Sequence, residues 1–208
     1  MPLFEEGIEA IQREHRLLGS VLVCLQRVAD DVVESETPPD FALFASILHY
    51  IDVFPERFHH PKEKRFLINP LRLRHPACAE LLDRIEDEHA TGDSLLVGMM
   101  RCLLAFQAGE SGGDEAFRDA TEAFVDFHFR HMQLEEEQLL PLAREHLIDA
   151  DWTALARAFH ANDDPLFGTR SRHRFEKLRR RIEALAPQSL QKFMRDVKTG
   201  AWHPAAPN

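Results

Sequence analysis

Six side chains suited to holding a metal stand at matching intervals in this sequence: His15, His59, Glu63, His89, His131 and Glu135. They read as a single histidine followed by a His-x3-Glu pair, stated twice. Glu14-His15 parallels Glu88-His89, while His59, Glu63 and Leu67 parallel His131, Glu135 and Leu139. The two histidines lie 44 positions apart in the first half and 42 in the second.

The spacing suits metal chemistry. Residues i and i+4 share one face of a helix, one turn apart. A His and a Glu so placed can bind one metal, or bind one and bridge to a second. Imidazole suits iron, copper and zinc, and carboxylates suit hard and bridging roles. Four histidines and two carboxylates are too many for one tetrahedral zinc. They suit two irons bridged by the two carboxylates. A lone histidine on an apolar stripe is usually a packed core residue, and one His-x3-Glu pair is usually surface helix support. Six such groups on four consecutive apolar stripes are different, because burying them without a metal would leave unpaired charge.

Neighbouring residues rank lower. His60 adjoins His59 but projects about 100° away on a helix, so it is set outside the ligand set. His128 lies on the inward stripe one turn before His131, either orienting a ligand or simply packed. Asp93, one turn after His89, is a weak further donor. Tyr50 reads as structural, and His49, His75, His146, His160, His173 and His203 as surface or interhelix residues. Pro61 removes a helix hydrogen bond beside the site and predicts a kink there.

The elements that must carry these residues are helical throughout. Apolar residues recur with a 3.6 period, broken by Pro and Gly. Segment one runs from Glu5 to Glu34, and 35–40, with Pro38 and Pro39, forms a loop. Segment two spans Phe41–Leu71 and segment three Ala77–Ala108. The GESGG break at Gly109–Gly113 precedes segment four, Asp114–His146. Four long helices with inward stripes predict an all-α, up-down-up-down four-helix bundle over residues 1–148. Residues 149–208 read as a helical extension packing on the bundle, with helices near Asp151–Ala161 and Pro165–Ala186 and a frayed tail from Gly200.

Bulk properties narrow the function. The 208 residues carry a formal charge of −10, which argues against nucleic acid or an anionic membrane as partner. No apolar run is long enough to span a bilayer, and the acidic start lacks the apolar core of a signal peptide. Three cysteines without a CxxC pair point to a reduced, cytoplasmic protein. The oligomeric state is not legible.

The segments REHRLLGSVL around His15, FHHPKEKRFL around His59, DEHATGDSLL around His89 and RHMQLEEEQLLPLA around His131 resemble the hemerythrin-like, or HHE cation-binding, family, in its bacterial form. DWTALARAFHANDDPLFG also resembles an extension in bacterial members. The resemblance implies a bundle with two non-haem irons, oxo- or hydroxo-bridged, and an open coordination position. It assigns His15, His59, Glu63, His89, His131 and Glu135 as ligands. Three positions depart from the family. Lys64 stands where many members have a second Glu, Asp93 where oxygen carriers have a second His, and those carriers place the last carboxylate at the position of Glu136. The expectation is therefore six protein ligands and a small partner such as O2, peroxide or NO. One reading is oxygen binding, sensing or iron storage. The other is an enzyme or stress protein handling peroxide or nitric oxide, with Asp93 off the metal and an open position beside His89.

Overall fold

The structure is a computed structural model describing residues 2–34, 38–54, 59–160 and 184. The expected helix at Pro165–Ala186, apart from residue 184, and the tail from Gly200 lie outside the described residues, as do His173 and His203. Every regular element among the described residues is helical.

Helix α1 spans Leu3–Glu34, with Glu5 and Glu6 in its first turn, where carboxylates favour the positive end of the helix dipole. Helix α2 spans Phe41–Phe54. Asp40 starts it by accepting the Leu43 N–H at 3.0 Å. The remainder of the second segment is built in three pieces: α3 (His60–Glu63), a π-helical turn (Lys64–Ile68) and α4 (Asn69–Arg74). Pro61 sits in the first turn of α3, where a missing N–H leaves no helix bond unmade.

A 3-10 turn at Pro76–Cys78 leads into α5 (Ala79–Gln107). The glycine-rich break turns the chain back through Gly109 and Gly112, whose φ of +74° and +72° suit glycine. Helix α6 spans Gly113–Leu134 and passes through a second π-helical turn, Glu135–Leu139, into α7 (Leu140–His146). Helix α8 spans Asp149–His160.

Two apolar clusters form the interior. One joins Leu18–Ala29 of α1 with the inward faces of α2, the second half of α5 and the first half of α6. The other joins Ala10 and Ile11 with Leu67, Leu71, Ile85, Leu139 and Ala143, and adds Trp152, Leu155 and Phe159 of α8. Helix α1 enters at the second cluster and leaves at the first, the next segment returns, and α5 and α6–α7 repeat the course. This is the up-down-up-down path. The polar residues singled out above fall in the layer between the clusters.

Helix α8 lies against the start of α1. A Cβ at Gly7 would stand 2.8 Å from Trp152 Cε3 and 2.9 Å from Leu155 Cδ2, so the close approach requires glycine. No helix among the described residues is long and apolar enough to cross a membrane.

Candidate metal centre

Each element brings its polar residue into the middle layer. His15 comes from α1, His59 and His60 from the start of α3 and Glu63 from its end. His89 comes from α5, His131 from α6, and Glu135 from the first position of the second π turn.

The two carboxylates occupy the centre, both 0% exposed. Glu135 turns Oε2 toward His15 Nε2 at 3.1 Å. Its Oε1 faces His131 Nε2 at 3.2 Å and His89 Nε2 at 3.6 Å. Glu63 does the same, with Oε1 3.5 Å from His59 Nε2 and Oε2 3.7 Å from His89 Nε2. Each carboxylate therefore reaches two groups of histidines at once. Donor atoms of His15, His59, Glu63 and Glu135 lie within 4.8 Å of one another, as do those of His60, His89 and His131.

Three outer carboxylates aim the rings. Glu136 Oε1 accepts from His15 Nδ1 at 2.8 Å, Glu14 Oε2 from His59 Nδ1 at 3.2 Å, and Glu88 Oε2 from His131 Nδ1 at 3.0 Å. An ionised carboxylate only accepts, so Nδ1 carries a proton, and in the neutral ring Nε2 presents its lone pair inward. Glu14 is itself held by Lys62 Nζ at 2.6 Å, and Glu88 by Arg84 Nε at 2.8 Å. The Lys62 ammonium rests over the Phe159 ring, 4.2 Å from its centroid, and ties α8 to this side of the cluster.

Burial sets the charge states. It pushes the His59 imidazole down to about 4 despite the pull of Glu14. Burial and the neighbouring imidazoles hold His60 well below its usual range. Burial also depresses His15, but its contacts with the Glu135 and Glu136 carboxylates outweigh it and raise that imidazole to about 10. Burial, reinforced by the charge of Glu135, drives Glu63 well above the usual carboxylate range. Burial opposes ionisation of Glu135 too, yet its contacts with His131, His15 and His89 hold it well below that range.

Both oxygens of Glu63, both of Glu135, His89 Nε2 and His131 Nε2 are buried without a hydrogen-bond partner among the protein groups. Leaving so many polar atoms unpaired in a low-dielectric layer costs several kcal/mol per charged group (about that order). A cation touching these atoms removes the penalty, and imidazole with carboxylate is a donor set for transition metals. The cluster fits a metal site.

All six residues singled out from the sequence converge here. His60 converges with them, contrary to the expectation that its angle would exclude it. Consecutive positions diverge on a helix, but a centre with two histidine groups has room for both directions. The His-His dipeptide was the only sequence sign. Asp93 does not converge: it is exposed on α5, where the inward position is Gly92. Gly92 leaves space for His128, whose Nε2 would lie 3.3 Å from a Cβ there. His128 packs on Phe124 with ring centroids 4.3 Å apart and belongs to neither donor group. Glu136 orients His15 rather than joining the inner set, and Lys64 turns outward to Glu86 at 2.7 Å.

A family profile described as the hemerythrin HHE cation binding domain matches residues 4–143. No curated protein and no solved structure matches the chain.

Proposed function

The chain belongs to the hemerythrin HHE cation-binding family, and from that premise we propose that it holds two non-haem irons and uses them to bind a small ligand such as O2. The ligands in this reading are His15, His59, Glu63, His89, His131 and Glu135, with Glu63 and Glu135 bridging. One observation carries it: each central carboxylate turns one oxygen toward His15 or His59 and the other toward His89, and none of those oxygens has a hydrogen-bond partner. A single metal would leave one side of both carboxylates unused.

Iron in this setting supplies redox chemistry and coordination of a diatomic or peroxide-sized ligand. The protein supplies the enclosure. Among the described residues, apolar clusters lie on both sides of the centre and the central carboxylates are fully buried, which suits a ligand of diatomic or peroxide size. Exclusion of water favours retention of a small bound molecule.

Anaerobic loading with ferrous iron followed by metal analysis tests the proposal. The expected content is about two irons per chain. A stable single zinc with no iron uptake overturns it. Reversible oxygen uptake, read by anaerobic stopped-flow absorbance, separates ligand binding from turnover of peroxide or nitric oxide at the same centre.

A further inference from the structure

We infer that the outer face of α5 is a docking surface for a second copy of this chain, paired antiparallel about a two-fold axis at Val97. The inference does not depend on the metal reading, because it concerns the side of α5 turned away from the bundle.

Helix α5 carries two stripes. The inner one includes Leu82, Ile85, Leu96, Met99 and Leu103, all buried. The outer one runs Ala90, Ser94, Val97, Arg101, Leu104 and Ala108, in alternating steps of four and three residues. That spacing is the seam by which one helix packs along another. All six residues are exposed, Val97 at 48% and Leu104 at 65%. Arg101 is the only charged residue between Asp93 and Glu110. This half of α5 therefore lacks the polar face of a solvent-bathed helix, and helices apolar all round are normally covered all round.

Gly98 is an independent observation beside the seam. Glycine weakens a helix interior relative to alanine. Among the described glycines, Gly7, Gly19, Gly92 and Gly113 have neighbours against the space a Cβ would fill, and Gly109 and Gly112 have positive φ. Gly98 has neither, since a Cβ there meets nothing within 4 Å. Nothing in the described chain calls for glycine at this position. A second helix approaching closely next to Val97 does.

The occupant follows from the seam's complementarity to itself. With Val97 on the axis of an antiparallel pair, Leu104 stands level with Ala90 of the other copy and Arg101 with Asp93. Large then meets small and positive meets negative, each twice, as a two-fold interface requires. A parallel pair would set Arg101 against Arg101. Arg101 enters no ion pair among the described residues, so its charge is open to a partner. Over Ala90–Ala108 the seam is about 27 Å long. One helix strip of that length covers less than the roughly 800 Å² per partner of a standard stable interface. The pair is therefore a reversible, concentration-dependent dimer rather than an obligate one.

Sedimentation equilibrium of the full chain tests the inference, with a reversible monomer–dimer equilibrium expected. Val97→Asp sets two carboxylates face to face on the axis and should abolish the dimer while circular dichroism stays at the parent level, because the position is exposed. Arg101→Asp and Asp93→Arg should each weaken association about tenfold or more, and the double variant should recover it. A chain that stays monomeric at every concentration overturns the inference. So does a dimer that Val97→Asp leaves intact. Loss of the dimer in both single variants and in the double variant overturns the antiparallel pairing. A monomer in which Val97→Cys adds no thiol reactive to a labelling reagent has another part of the chain over the seam, and overturns the second copy as its occupant.

Discussion

Three inward-facing imidazoles are each aimed by a carboxylate that adjoins a different inward-facing residue in sequence. Glu14 precedes His15 but holds His59; Glu88 precedes His89 but holds His131; Glu136 follows Glu135 but holds His15. Each pair thus turns one side chain into the centre and lends the other to a ring from a neighbouring helix. Loss of such an orienting group typically weakens metal binding ~10–100-fold. Glu14→Ala, Glu88→Ala and Glu136→Ala should each lower iron affinity by about that range while far-ultraviolet circular dichroism stays at the parent level. Competition with a calibrated chelator measures it, and unchanged affinity in all three would remove the orienting role. The proton on His15 has its own consequence. Burial opposes that proton, but Glu135 and Glu136 raise the imidazole to about 10, so the metal-free ring is charged at neutral pH. A ligand imidazole must be neutral, so iron displaces this proton. Apparent iron affinity should therefore rise as pH increases from 6.5 toward 9, with proton release visible to an indicator dye. Affinity that is flat over this range would exclude His15 as a ligand.

At the scale of the element, the two π turns set the rotation of the site against the helices that follow. The buried positions run Glu63, Leu67, Ile68, Leu71 and Glu135, Leu139, Leu140, Ala143. The inward stripe slips by one residue within each turn, as an inserted residue requires. The Asn69 N–H reaches the Lys64 carbonyl and the Leu140 N–H the Glu135 carbonyl, each five residues back. Pro70 and Pro141 follow directly. In a regular helix their rings would collide with a carbonyl one turn earlier, and the wider turn makes room. Such turns are frequent at functional sites. Deleting the exposed Glu137 should restore a regular register and rotate Glu135 and His131 by about 100° against Leu140 and Ala143. Iron content is expected to drop by at least half with helix content largely kept. A deletion variant with full iron content would show that the turn does not position the site.

At the scale of the molecule, α8 is a fifth helix laid over the four-helix frame. It seals the cluster that contains Ala10, Ile11 and Leu139 and brings Phe159 to within 6.1 Å of the His59 ring, edge-on. Its seat depends on Gly7. Gly7→Leu forces a side chain into Trp152 and Leu155, and overpacking of this kind costs about 1–3 kcal/mol. Thermal unfolding should occur at a lower temperature in that variant. Iron should also leave faster to a chelator, while iron content before the challenge matches the parent. Equal release rates would show that α8 does not limit access to the centre. His59→Ala and His131→Ala provide the contrast, since both should reduce the iron content itself.

The all-helical bundle and the six principal polar positions were legible because both rest on local periodicity. Apolar residues every three to four positions define each helix, and a His or Glu within such a stripe must face inward with it. The GESGG break at Gly109–Gly113 was legible as the end of the third segment. The π turns were not legible, because a one-residue slip leaves the overall stripe recognisable. Side-chain partnership lay further out of reach. Which carboxylate aims which ring, why Gly92 rather than Asp93 faces inward, and how His60 reaches the side opposite His59 all depend on neighbouring helices. Sequence spacing determined which residues share a face; only tertiary packing decided which faces meet, because contacts between helices are set by their rotation and separation rather than by position along the chain.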